Sequence, residues 1–282
     1  MKLELKKINE AINAINNSID SEQYQEALFG CNTMLTELEK HEKSEFALHL
    51  FFNLAAQFID TGNFLRNVDA VSIGIKILEN NSEFYEKEYK VNYYYNLANG
   101  KLSLANDCGY SNDNVNFHNI ALYNDVKNLY WKAYKIINKE DDYDLYEQNV
   151  INLANTLKQL FRFSEALQLY DLVIQKNTHY PQAWLNRSSC LEKFDKLLDH
   201  RTEKMIIEIL KGYKFASQSP LIPTAWMPYY NNQINHLTNQ LSSKNLETED
   251  LETSKEYSSM SDFRQWCIKE NLTLNIHGMY LY

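Results

Sequence analysis

The chain has 282 residues, of which 44% are hydrophobic and 23% charged, the ordinary range of a folded globular protein, so a chain disordered throughout is excluded. A formal net charge of −9 and a pI near 5.3 argue against a reader of duplex DNA or RNA, because such proteins draw most of their affinity from neutralising phosphates. The four cysteines (Cys31, Cys108, Cys190, Cys267) are widely separated, with no C-x-x-C pair and no histidine at ligand spacing. They read as reduced thiols of a cytoplasmic protein rather than a disulfide framework or a metal site.

The first proline is Pro181, followed by Pro220, Pro223 and Pro228, and glycines are few. The whole stretch before Pro181 is therefore expected to form long helices joined by short turns. The opening stretch MKLELKKINEAINAINNSID is amphipathic without an apolar run, and reads as neither a signal peptide nor a membrane span. Segments 3–20 and 23–38 have helical periodicity, with Ile8, Ile12 and Ile15 on one stripe and Tyr24, Ala27, Cys31 and Leu35 on the other. A second hairpin is expected from 44–60, carrying Phe51, Leu54, Ala55 and Phe58, and 64–79, with Asp60-Thr61-Gly62-Asn63 as the turn between them.

A third unit is expected to open with one helix from Glu83 to about Ala105. The stretch NDCGYSNDNVNFHN, half of it Asn or Asp, then reads as an insertion loop before a partner helix from about Asn119. Its acids Asp107 and Asp113 do not follow an EF-hand pattern, and no glutamate closes the loop. The fourth unit has the cleanest pattern, with Val150, Leu153, Ala154 and Leu157 on its first helix and Phe163, Ala166, Tyr170 and Val173 on its second. A fifth opens at Pro181-Gln182-Ala183-Trp184. After Pro220 a proline-broken connector leads to a capping helix, Asn231–Leu241, then a polar linker over 242–260 and an apolar segment over 261–282 expected to dock on the array or on another protein.

A tetrapeptide ties these units together: Asn53-Leu54-Ala55-Ala56, Asn96-Leu97-Ala98-Asn99, Asn152-Leu153-Ala154-Asn155 and a degenerate Asn186-Arg187-Ser188-Ser189. The last two are separated by one period of a helix-turn-helix repeat. The spacing, the small residues at Ala154 and Ala166 and the Pro181–Trp184 start resemble the tetratricopeptide repeat (TPR). The resemblance covers 44–80, 84–138 and 143–218, and 3–38 more loosely. Alanine at 55, 98 and 154 in place of glycine, and Arg187 in place of leucine, depart from it. It implies an all-α fold: a right-handed superhelical array of about five helix hairpins in a single repeat domain, 1–241, with a C-terminal capping helix and docking tail.

NLANTLKQLFRFSEALQLYDLVI, AWLNRSSCLEKF and the distant FRQWCIKENLTLN also resemble the repeat region of bacterial TPR proteins that carry a C-terminal HEPN domain. Arg264, Trp266, Cys267, Asn271, Leu272, Leu274 and Asn275 match that family's pattern, after which the chain departs from it as Ile276-His277-Gly278 and ends without the HEPN bundle. No arginine has a histidine at the spacing of the HEPN ribonuclease motif. This resemblance implies a setting of antiviral defence or a toxin-type system without implying a nuclease activity.

The seven histidines share no motif, and there is no phosphate-cradling glycine loop and no G-x-S-x-G elbow, so no catalytic constellation, metal site or cofactor site is expected. Tyr93-Tyr94-Tyr95 cannot form one base-stacking platform, since successive helical residues point in different directions, and packing within the array is expected for them. The repeat register places His49, Phe52, Asn53 and Ala56, then Asn92, Tyr95, Asn96 and Asn99, on the inner faces of the first helices. Gln148, Ile151, Asn152 and Asn155 follow, then Gln182, Leu185, Asn186 and Ser189.

Of these, Phe52, Asn53, Asn92, Tyr95, Asn96, Asn99, Gln148, Asn152, Asn155, Gln182 and Asn186 are the candidate contacts to a peptide or protein partner. Amide side chains both donate and accept, which suits the backbone of an extended segment; the same asparagines equally suit hydrogen bonds within the array. The basic residues of the two-carboxylate clamp of chaperone adaptors are not at the matching positions. The expected function is a noncatalytic scaffold or sensor for a protein or peptide partner, and the acidic charge fits equally well a regulator that clamps a nucleic-acid-processing effector. Two alternatives stay open: a component of a HEPN-type RNA-processing system whose nuclease is lost or on another chain, and a peptide-pheromone sensor.

Overall fold

A computed structural model describes residues 2–41, 43–107, 117–137, 143–198, 203–222 and 226–242. The expectations for the insertion loop interior, the linker, the docking segment and the HEPN-like element therefore lie outside the described residues. Among the described residues all regular structure is helical, in twelve helices with no strand. They divide between two compact units, Met1–Ile137 and Asn138–Tyr282.

The first unit holds α1 (Lys2–Asp20), α2 (Tyr24–Leu38), α3 (Glu45–Leu65), α4 (Val68–Asn80), α5 (Ser82–Glu88), α6 (Lys90–Asp107) and α7 (Phe117–Ile136). The second holds α8 (Tyr143–Gln159), α9 (Phe163–Lys176), α10 (Pro181–Leu198), α11 (Glu203–Ser217) and α12 (Met227–Ser242). In both, extensive packing joins helices close in chain order: α1 with α2, α3 with α4, α6 with α7, α8 with α9, and α10 with α11. Beyond these, α1 touches α3, α3 touches α6, and α8 touches α10.

The apolar stripes read from the sequence form the core: Ile8, Ile12, Ile15, Ala27 and Cys31 are buried, as are Phe51, Leu54, Ala55 and Phe58. So are Val150, Leu153, Ala154 and Leu157 with Phe163, Ala166, Tyr170 and Val173. Gln57 of α3 bolts α1 in place, donating to the Ile12 carbonyl at 2.7 Å and to Asn16 Oδ1 at 2.8 Å.

Three boundaries differ from the sequence reading, each for a local reason. Residues 60–63 do not turn; they continue α3 to Leu65, with Thr61 and Gly62 buried. A Cβ on Gly62 would lie 2.8 Å from Val71 Cγ2, so the glycine serves close helix approach instead of a turn. Arg66 then ends the helix in the left-handed region (φ 52), and the Asn67 amide closes back on the Gly62 carbonyl at 2.8 Å. Asn67 at once caps α4, its Oδ1 accepting from the Ala70 amide at 3.0 Å.

The expected helix from Glu83 to Ala105 breaks at Tyr89, whose ring stacks on Phe52 at 4.4 Å and whose hydroxyl is hydrogen-bonded to His49 Nδ1. Packing of one large aromatic thus outweighs helix continuity. The last helix begins at Met227 rather than Asn231, because Pro228 in a first turn lacks only an N–H that would have no partner there.

Candidate functional site

The four tetrapeptides sit on α3, α6, α8 and α10, each of which packs on the helix that follows it, and they share one pattern of burial. The second residue (Leu54, Leu97, Leu153, Arg187) is buried in every copy. The third (Ala55, Ala98, Ala154, Ser188) has no exposed surface in any of them. The fourth (Ala56, Asn99, Asn155, Ser189) is half-buried, and the first is exposed at Asn53 and half-buried at Asn96, Asn152 and Asn186. A small side chain at the third position lets the second helix of the hairpin come close. The α10–α11 pair shows how close: a Cβ on Gly212 would lie 2.9 Å from the Trp184 carbonyl oxygen and would collide with Ser188 Oγ, which itself donates to the Ile209 carbonyl at 3.1 Å.

Two hairpins, one in each compact unit, repeat the same polar bond. Tyr130 of α7 donates its hydroxyl to Asn99 Oδ1 at 2.5 Å, and Tyr170 of α9 donates to Asn155 Oδ1 at 2.6 Å. Both tyrosine rings are fully buried, so each hydroxyl must find a partner inside the protein, and the fourth residue of the tetrapeptide supplies it. Burial pushes the Tyr170 hydroxyl well above the usual phenol range, which keeps it a donor.

The candidate contacts therefore separate into two groups. Phe52 is buried, tilted against Tyr85 and stacked on Tyr89, and the side-chain oxygens of Asn99 and Asn155 are engaged by tyrosines. Tyr95 is half-buried with its ring 6.1 Å from that of Tyr130. Asn53, Asn92, Gln148 and Gln182 are exposed, with Asn96, Asn152 and Asn186 half-buried beside them. The exposed set is the one whose side chains face solvent. Of the three consecutive tyrosines, Tyr93 and Tyr94 are buried and in ring contact with each other, Tyr93 also with Tyr85, as packing requires.

Arg187, at the position occupied by leucine in the other copies, is 3% exposed. Its Nε donates to Asp171 Oδ1 of α9 at 2.7 Å, and its Nη1 to Glu208 Oε2 of α11 at 3.1 Å. Both acids are buried as well, Asp171 at 9% and Glu208 at 5% exposure. Burial raises both carboxyls above their ordinary range, the Arg187 guanidinium draws both back, and the charge of Lys211 draws Glu208 back further. Glu208 Oε1 has no hydrogen-bond partner. Neither acid announces this role in the sequence, since each lies on a different helix from the arginine, well outside any local pattern around it.

Among the described residues, no group of three or more His, Cys, Asp or Glu is placed to hold a metal ion, and no helix is long and apolar enough to cross a membrane. Cys31 and Cys190 are both buried, with thiols pushed up to about 12 by desolvation, so neither is a nucleophile near neutral pH. No family model matches the chain, and no curated protein is similar to it.

Proposed function

We propose that the chain is a noncatalytic helical-repeat scaffold that holds an extended segment of a partner protein against the first helices of its hairpins. The supporting observation is the recurrence of one burial pattern in all four tetrapeptides, joined in two hairpins by the same tyrosine-to-asparagine bond. A hairpin built this way buries one face of its first helix and carries polar residues on the other. In the TPR resemblance that face is the binding surface, and here it is rich in amides: Asn53, Asn92 and Asn96 in the first unit, Gln148, Asn152, Gln182 and Asn186 in the second. Amides present donors and acceptors without charge, which suits backbone recognition by an acidic protein.

The test is direct binding of the purified chain to a tiled peptide library and, in parallel, to random single-stranded RNA. Two variants, Asn92→Ala/Asn96→Ala and Gln148→Ala/Asn152→Ala, address the two units separately. Peptide hits weakened at least tenfold by one or both variants, with circular dichroism unchanged, are the expected result. Retention of RNA without peptide, or peptide binding indifferent to both variants, overturns the proposal.

A further inference from the structure

The second unit carries a pair of lysines that the scaffold's own hydrogen bonds do not explain. Lys158 is in the last turn of α8 and Lys193 is in α10, and the two are cross-braced between those helices. Lys158 Nζ donates to Ser189 Oγ at 3.3 Å, while Lys193 Nζ donates to Gln159 Oε1 at 2.7 Å and lies 4.9 Å from the centre of the Phe161 ring. Both side chains are half-buried. Among the described residues neither ammonium has a carboxylate within ion-pair distance, and both of these hydrogen-bond acceptors are neutral.

Groups nearby supply a counter-charge only in part: Glu192 favours the charged form of Lys158 without reaching ion-pair distance, and no acid does the same for Lys193. Cys190 is fully buried and remains a neutral thiol. Glu192 Oε2 accepts from Tyr213 Oη at 2.9 Å. The carbonyls that end α8 are closed by main-chain amides, Phe161 N on Lys158 O at 3.2 Å and Arg162 N on Leu157 O at 2.9 Å, so they do not call for a lysine cap. Each ammonium has three donors and commits one to a neutral oxygen, which leaves further donors on each. Burial lowers the basicity of both ammoniums, and the charge of Lys158 lowers that of Lys193 further, to about 8. An anion between them removes both penalties at once.

From this geometry we propose that Lys158 and Lys193, with the Ser189 hydroxyl, form an oxyanion pocket that takes a carboxylate or phosphoryl group carried by the bound segment. The proposal rests on the peptide-scaffold reading, and adds that the partner segment is anionic where it crosses α8 and α10. Ser189, the fourth residue of the degenerate tetrapeptide, places the pocket at the edge of the amide row.

Acetylation footprinting with mass spectrometry tests it on the full chain at fixed ionic strength. Inorganic phosphate and glutarate serve as separate probes against chloride, and the exposed Lys76 and Lys132 as internal references. The expected result is at least fivefold slower acetylation of Lys158 and Lys193 with millimolar phosphate or glutarate, with the references unchanged. The protection of Lys158 is expected to disappear in Lys193→Met and, as a second variant against misfolding, in Lys193→Gln.

Protection no greater than at the references, or protection of Lys158 that survives in both variants, overturns the pocket. Matched peptide hits carrying glutamate, phosphoserine or glutamine at one position then separate the sources. Tighter binding of either anionic form, lost in Lys193→Gln, supports the pocket, and equal binding of all three overturns it while leaving the scaffold standing. Protected lysines in a chain that holds no peptide would overturn the scaffold and leave the pocket.

Discussion

Replacing Arg187 by leucine restores the residue found at the same position in the other three tetrapeptides, yet it is expected to be strongly destabilising. In the α9–α10–α11 core the guanidinium is the shared partner of two buried acids at 2.7 and 3.1 Å. Removing one member of a buried ionic network leaves uncompensated charge, which costs about 3–5 kcal/mol. The loss is expected in the second unit, so the readout is native-state hydrogen exchange of α9, α10 and α11 through a urea series at pH 7, with α3 and α4 as internal controls. The triple variant Arg187→Leu/Asp171→Leu/Glu208→Met replaces the network by apolar groups of similar size and is expected to be within about 1 kcal/mol of wild type, or more stable.

Acidity provides an independent check. Both acids have folded-state carboxyls above their unfolded values, so the native protein binds more protons than the unfolded chain, and their contribution to stability falls as pH rises through the folded values. The second unit should therefore gain stability as pH is lowered from 7 towards the ordinary carboxylate range, and Arg187→Leu should steepen that gain by removing the one group that holds both carboxyls down. A single variant as stable as wild type at pH 7, or a triple variant as unstable as the single one, would refute the argument.

Tyr130→Phe or Tyr170→Phe removes the tyrosine's bond to an asparagine oxygen, and each is expected to cost about 0.5–1.5 kcal/mol. Hydrogen exchange should localise the first loss to α6 and α7 and the second to α8 and α9; the same diffuse change from both would count against a repeated structural element. Gly212→Ala puts a methyl against the Trp184 carbonyl oxygen and Ser188 Oγ, and thermal unfolding should show a loss of about 1–3 kcal/mol from overpacking. Arg66→Gly relieves a left-handed backbone at the end of α3 and is expected to stabilise the first unit by about 0.5–1 kcal/mol in urea unfolding. A destabilised Arg66→Gly would show that the arginine side chain contributes more than its backbone costs.

What could be read from the chain in advance follows from how local each determinant is. Helical periodicity and the tetrapeptide are local patterns, and they marked Leu54, Ala55, Leu153, Ala154 and Tyr170 as core, all of them buried. Gly62 misled for a local reason as well: a glycine between Thr61 and Asn63 looks like a helix terminator, and only the neighbouring Val71 shows it to be a packing contact. Tyr89 breaks a helix because of Phe52 and His49, which lie on α3 with all of α4 and α5 in between, and no helix-length window along the sequence contains all three.

Arg187 carries this reasoning furthest. In the sequence it is only a departure from a repeat, a polar residue where leucine is expected. In the fold its α10 position lies between one acid from the helix before and one from the helix after, so the departure is compensated across two interfaces at once. A leucine there could pack against many apolar helix faces, whereas an arginine needing Asp171 on one side and Glu208 on the other fits only this order of helices. The degenerate tetrapeptide is in this sense the most specific of the four: its neighbours must be α9 and α11, and any other packing of α10 would leave three charges buried without partners.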